Sequence, residues 1–311
     1  MKNKPINPIK SFKNDVGYDA NVKLMTSFPN VHLLEENVSW EDLVISPTTM
    51  RQLREIPEHI KARNLITRQG GKKLSGPASL FIGPSGTGKT FAASVIAREL
   101  GWPLFRVDLG RLVSKYIGET EKNLNALFDA ANDKKMVLYF DEADALFAKR
   151  GEVRDARDRY ANLEISHLLL RFLKTHRGPS IFAVNLREHM DPAFARRFEM
   201  AINFRNPYES AREELWRHNI PPQVSVNEDV DLNFVARSAK LTAGGIEKAA
   251  THAAVMALAD GADITIQHIA TAIWRELEKE GRPIFISEMG GLVKHLSEDN
   301  FTQIETNNTN E

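Results

Sequence analysis

The residues Gly83-Pro84-Ser85-Gly86-Thr87-Gly88-Lys89-Thr90 have the types and spacing of a phosphate-holding loop. Gly83, Gly86 and Gly88 open backbone angles closed to residues with a Cβ. The loop can then curl so that successive N–H groups point inward at phosphate oxygens. Lys89 can reach the β- and γ-phosphates, and the Thr90 hydroxyl can ligate Mg²⁺. An apolar run, Ser79–Ile82, precedes the loop, and the helical pattern Phe91–Leu100 follows it. That order aims the positive end of a helix dipole at the same phosphates. The stretch is predicted to bind a nucleoside triphosphate with Mg²⁺. A second constellation begins where the continuous apolar run Met136–Phe140 ends in Asp141-Glu142-Ala143-Asp144. Carboxylates at the carboxyl end of a parallel strand lie in the crevice where such sheets bind ligands. Asp141 suits a Mg²⁺ ligand, direct or through water. Glu142 suits the base that orients and deprotonates an attacking water.

These residues need a layered sheet to position them. Ser79–Ile82, Pro103–Leu109, Met136–Phe140, Ile181–Val184 and Met200–Phe204 read as strands, the third of them buried on both faces. Helical spacing over Met50–Arg63, Phe91–Leu100, Leu124–Ala131 and Ala161–Lys174 falls between them. Alternation of this kind predicts an α/β sandwich on a parallel sheet with right-handed crossovers. From Tyr208 the pattern turns wholly helical, over Ser210–His218, Asp231–Ser238, Gly245–Ala259 and Ile266–Glu280. The expected division is therefore an arm over 1–38, an α/β domain over 39–206, a helical domain over 207–296 and a disordered polar tail over 297–311. The arm is read as extended or partly disordered, because Pro5, Pro8, Gly17 and Pro29 interrupt any long element. Ser39-Trp40-Glu41-Asp42 reads as a helix N-cap with acidic first-turn residues, or as the turn leading into a helix.

The chain has 311 residues, 42% of them hydrophobic, with 41 Lys plus Arg balanced by 41 Asp plus Glu. That balance gives no electrostatic case for a nucleic-acid or acidic-membrane partner. The absence of cysteine excludes disulfides, thiolate metal sites and cysteine nucleophiles. No apolar run approaches the roughly 18 residues that would span a bilayer, and the polar start lacks the core of a signal peptide. A cytoplasmic protein is expected.

Further motifs give the pattern a family. Ser114-Lys115-Tyr116-Ile117-Gly118-Glu119-Thr120-Glu121-Lys122-Asn123-Leu124, Ala183-Val184-Asn185-Leu186 and Asp191-Pro192-Ala193-Phe194-Ala195-Arg196-Arg197-Phe198 follow the two nucleotide motifs in order. From about Trp40 to Arg282 the chain resembles the AAA+ ATPases. The resemblance implies an αβα P-loop domain followed by a small all-helical lid, with ATP and Mg²⁺ as ligands. It implies a pore loop at Lys115, Tyr116, Ile117 and Gly118, where the aromatic ring grips a polypeptide in a central channel. Asn185 takes the sensor 1 place beside the γ-phosphate, although Val184 stands where the family usually has Thr or Ser. Arg196 and Arg197 are the candidates for arginines that reach a neighbouring subunit's γ-phosphate. Leu241-Thr242-Ala243-Gly244-Gly245-Ile246 resembles the entry of the lid, where Gly244 and Gly245 let backbone approach the adenine and ribose. Glu247 and Lys248 stand where many AAA+ subfamilies place an arginine. Asp42 and Leu43 fall where the family's N-terminal segment passes the adenine. The charged stretch Ala148–Asn162 is similar to a bacterial branch that includes ATPases of phage-tail-like contractile injection systems. By its residues alone it reads equally as a solvated loop or a second pore loop.

The resemblance implies a homohexameric ring that couples ATP hydrolysis to remodelling, unfolding or disassembly of a protein client. A nucleic-acid motor or loader of the same superfamily is disfavoured by the neutral charge and the aromatic pore-loop match. A scaffold that binds ATP without turnover is disfavoured by the presence of Glu142, Asn185, Arg196 and Arg197.

Overall fold

The computed structural model describes residues 16–35, 37–70, 75–108, 117–132, 134–144, 172–173, 176, 178–185, 195–279, 281 and 284–296. The chain divides into two compact units. The first holds the sheet and comprises residues up to Leu43, Pro47–Pro84 and Lys89–Phe204. The second is helical and comprises Val44–Ser46, Ser85–Gly88 and the chain from Arg205.

The first unit has six strands: β1 Val31–Leu34, β2 Ala78–Ile82, β3 Leu104–Asp108, β4 Val137–Asp141, β5 Ser180–Val184 and β6 Met200–Asn203. Their order across the sheet is β1-β3-β4-β5-β2-β6. All neighbours are parallel except β1, which runs antiparallel to β3 with Val31 opposite Val107. Strands β2 and β5 are buried along their whole length, Ser79 and Ser180 included, as inner strands of a parallel sheet are. Helices α1 Val16–Met25, α2 Pro47–Arg68, α3 Lys89–Leu100 and α4 Ile117–Ala131 are described in this unit. One core joins α4 to the sheet through Leu124, Leu127, Phe128, Leu138, Phe140 and Phe182. In it Phe140 stacks on Phe182 at 4.4 Å and Phe128 on Phe172 at 4.1 Å. Such rings contribute beyond their buried area when offset or edge-on. His176, 1% exposed, stacks on Phe172 at 4.7 Å. Burial pulls its pKa down to about 4, so the neutral ring acts as a flat filler at pH 7.

The sheet is mostly parallel, as expected, with β1 its antiparallel edge. One expectation is corrected. The segment read as an extended or partly disordered arm contains α1 and β1 in its described part, with Met25 and Val31 in the main core. Pro29 interrupts the local pattern because it lies in the turn between the two elements; that turn closes with the Val31 N–H donating to Phe28 O at 3.1 Å. Of the alternatives at Ser39–Asp42, the structure shows the turn. Asp42 Oδ2 accepts from the Ser39 N–H at 2.7 Å and from its hydroxyl at 2.8 Å, and the next helix begins only at Pro47. Pro47 suits that first position, where an N–H would go unused. The stretch Ala148–Asn162, most of the helix expected over Ala161–Lys174 and the tail from 297 lie outside the described residues.

The second unit packs α5 Glu209–Asn219, α6 Leu232–Ser238, α7 Ala243–Ala259, α8 Ile266–Glu278, α9 Ile286–Met289 and a 3₁₀ turn Gly290–His295. Polar side chains start three of these helices. Asp231 accepts from the Asn233 N–H, Thr242 from Gly245, and Thr265 from His268 in a reciprocal capping box. Ala249, Ala250, Ala253, Ala254 and Ala257 line the buried face of α7, and small side chains there let α8 pack closely with Ile269, Ile273 and Trp274. Arg212 is buried, but its guanidinium donates to Ala236 O and Pro207 O, each at 2.7 Å. Burial lowers its pKa, and the nearby Glu209 opposes that shift. One isolated parallel bridge, Val226 to Ile264, adds to the helices expected there.

Candidate functional site

The strand order places the site. From β2 the chain crosses to β3 and returns through β4 to β5, then passes β2 to reach β6. Reversals of this kind open a crevice beyond the carboxyl ends of the strands. Gly83, Asp141 and Asn185 follow β2, close β4 and follow β5 respectively. The glycine-rich loop leaves β2 at Gly83. A Cβ on Gly83 would lie 2.1 Å from Phe204 O, so no other residue fits. Gly86 has φ +76°, and a Cβ there would come within 2.7 Å of Thr242 Oγ1. Pro84, Ser85 and Gly86 are exposed, Thr87 is buried and Gly88 half-buried.

Lys89, the first residue of α3, is 8% exposed and turns back into the loop. Its ammonium donates to Gly83 O, to Pro84 O at 2.9 Å and to Asn185 Oδ1 at 3.3 Å. Burial lowers its pKa, while Asp141 and Asp144 oppose the shift. Next to it, the Thr90 hydroxyl donates to the Tyr139 hydroxyl at 3.0 Å. That hydroxyl in turn faces Asp141 Oδ1 at 3.5 Å. Burial, and then the charge of Asp141, push the Tyr139 phenol far above its usual pKa. The fold therefore brings Lys89, Thr90, Asp141 and Asn185 together, though they lie far apart in sequence.

Glu142 is exposed and has φ +50°, the one positive φ at a non-glycine among the described residues. Its N–H donates to Asp141 Oδ1 at 3.1 Å. Such backbone costs about 1–2 kcal/mol for a residue with a Cβ, and strain of this kind gathers at functional sites.

Two residues here carry more than the sequence reading gave them. Asp144 fixes the start of the segment after β5, its carboxylate accepting the Asn185 N–H at 2.9 and 3.1 Å. Its place three residues after Asp141 was visible, but not the partner. Tyr139 lies within the apolar run Met136–Phe140. Its polar hydroxyl, two residues before Asp141 and so on the same face of the strand, was the available signal.

Arg196 and Arg197 are exposed in the turn that leads into the amino end of β6. There the Glu199 N–H donates to Ala78 O, at the start of β2. The loop leaves the other end of β2, five residues on, or roughly 16 Å of strand. The two arginines and the loop of one chain thus lie at opposite ends of the strands. Gly244 and Gly245 begin α7, and the Gly244 N–H donates to Gly86 O at 2.8 Å, within the second unit. Asp42 is engaged by Ser39, and Leu43 is buried. Ile117 and Gly118 open α4, whereas Lys115 and Tyr116 lie outside the described residues.

The family model for the ATPase family associated with various cellular activities (AAA) matches residues 79–206, from β2 through β6. Residues 79–206 are an AAA ATPase domain. An AAA-family ATPase of Sinorhizobium fredii is 36% identical over 179 residues, 57% of this chain and 53% of that protein. The proteasome-activating nucleotidase of Methanopyrus kandleri is 30% identical over 253 residues, 78% of this chain and 57% of its own length. The ATP-dependent zinc metalloprotease FtsH of Syntrophotalea carbinolica is 29% identical over 261 residues, 81% of this chain and 40% of its own length. The chain thus spans about half the length of these AAA relatives. Its fold is the P-loop α/β architecture of that family, with one antiparallel strand added to the sheet. Among the described residues, no helix is long and apolar enough to cross a membrane.

Proposed function

We propose that this chain is the ATP-hydrolysing subunit of a homohexameric AAA ring that remodels, unfolds or disassembles a protein client. The observation that carries the reading is the Lys89 ammonium, buried at a glycine-rich loop and lent to the carbonyls of Gly83 and Pro84. An ammonium drawn out of water at the head of a helix suits phosphate oxygens better than the carbonyl dipoles it now touches. Thr90 and Asp141 supply oxygen ligands of the kind Mg²⁺ takes alongside substrate phosphates. Bound Mg²⁺ supplies neutralisation of the charge that develops on the phosphates. Glu142 takes a proton from the attacking water. Asn185, its backbone set by Asp144, hydrogen-bonds the γ-phosphate once Lys89 has moved to the nucleotide. Gly244, against the loop at Gly86, and its neighbour Gly245 are the residues that family resemblance assigns to the adenine and ribose, and it assigns Asp42 and Leu43 to the adenine.

Arg196 and Arg197 lie at the far end of the strands from their own loop, which supports their acting on a neighbour's nucleotide. An interface in which one copy serves the next is head-to-tail and closes into a ring when the rotation permits; six subunits is the count that family resemblance supplies. Relatives named as a proteasome-activating nucleotidase and an ATP-dependent protease support a protein client.

Calorimetry on Lys89→Ala tests the nucleotide site. The variant should retain a cooperative melt and give no heat with ATP. Wild-type affinity in a folded variant would remove the assignment. Tyr116 tests the client. An aromatic ring offers a large contact area with only two side-chain torsions to freeze, which suits a grip on varied sequence. Tyr116→Ala should keep ATP affinity and basal turnover but lose most client remodelling, and Tyr116→Phe should keep it. The client for this assay is captured on a Glu142→Gln ring. Equal remodelling by Tyr116→Ala and wild type would end the threading reading.

A further inference from the structure

Tyr139 is fully buried in the middle of the sheet, on the strand that ends in Asp141. Its ring fills core, but its hydroxyl sits between two groups assigned to the metal. Thr90 Oγ1 donates to it at 3.0 Å, and it faces Asp141 Oδ1 at 3.5 Å, the same oxygen that accepts the Glu142 N–H. We propose that Tyr139 is a positioning residue for bound Mg²⁺, fixing the rotation of the Thr90 hydroxyl so that its lone pairs are free for the cation. The inference rests on the assignment of Thr90 and Asp141 to Mg²⁺ made above.

A hydroxyl has one proton and two lone pairs. As a cation ligand it must offer a lone pair, so its proton must go to an acceptor away from the metal. Tyr139 is that acceptor. The phenol has one proton of its own, and with Thr90 on its lone pair it is directed to Asp141. The chain of donors therefore runs one way, from Thr90 through Tyr139 to Asp141. The first link is of normal length; the second is long for O–H···O, so the Thr90 link carries the inference. A buried tyrosine also needs some partner for its hydroxyl simply to satisfy it. The two roles differ in what they predict. A satisfied core hydroxyl affects melting, whereas a positioning hydroxyl affects Mg²⁺.

The experiment measures ATP affinity of the full chain by calorimetry, in EDTA and in excess Mg²⁺, for wild type and Tyr139→Phe. Phenylalanine keeps the ring and the packing. The variant should bind ATP like wild type in EDTA and lose roughly 2- to 10-fold of the Mg²⁺-dependent gain, the worth of one neutral hydrogen bond. Its half-saturating Mg²⁺ for turnover should rise by a similar factor. In the Thr90→Val background, which has no hydroxyl to orient, adding Tyr139→Phe should cost nothing further. A full Mg²⁺ gain in Tyr139→Phe, or an equal loss in both backgrounds, overturns the inference while the Mg²⁺ site stands. A wild type with no Mg²⁺ gain overturns the Mg²⁺ assignment itself.

Discussion

Replacing both arginines, as Arg196→Ala with Arg197→Ala, should leave ATP affinity intact and slow hydrolysis by about 10³- to 10⁵-fold, the range for an arginine supplied across an interface. That loss corresponds to about 4–7 kcal/mol of transition-state stabilisation. Two exposed arginines holding surface ion pairs would contribute no more than about 1 kcal/mol each, so the outcomes are far apart. The positions of the residues make the direction of action testable as well. A subunit lacking both arginines keeps its loop, Asp141 and Glu142. Mixed with Glu142→Gln subunits, whose arginines are intact, it should regain turnover wherever its nucleotide faces such a neighbour. Activity across a full mixing series is the measurement. If mixed rings form and no ratio restores hydrolysis, the arginines do not act on the adjoining subunit.

The second large effect is expected at Glu142. Glu142→Gln keeps the side chain's length and meets the same backbone at φ +50°. It removes only the proton acceptor. Turnover should fall by about 10²- to 10⁴-fold, the scale for losing a general base. Calorimetric affinity for ATP should stay at the wild-type value, because Lys89, Thr90 and Asp141 are untouched. Turnover within a few-fold of wild type would assign the base to another group.

Much of the site was legible because it is written in contiguous residues. The loop from Gly83 to Thr90 and the strand that ends in Asp141 each combine a local motif with an apolar run. What escaped depends on partners distant in the chain. Val31–Leu34 is a short edge strand whose identity comes from pairing with Leu104–Val107, and Pro29 masked it locally. Asp144 meets Asn185 only once β4 and β5 lie side by side. Tyr139 has the composition of core and the geometry of a site, and composition alone cannot separate the two. The left-handed backbone at Glu142 is invisible to a pattern rule that expects glycine or asparagine at such a turn.

The strand order also has a consequence for the sequence of events as the chain is made. β3 pairs with β4 after only about 30 residues, whereas β2 waits for partners about 100 and 120 residues further on, and contacts so distant are slow to close. The glycine-rich loop is thus synthesised early and seated late. Until Ser180–Asn185 and Met200–Phe204 have been synthesised, β2 has no neighbour, Lys89 has no Asn185, and Gly83 has no Phe204 carbonyl to rest against. A nascent chain therefore carries the loop's residues long before it can hold a nucleotide. Because a ligand stabilises only the state that binds it, ATP draws forward the last step of building the sheet and none of the earlier ones.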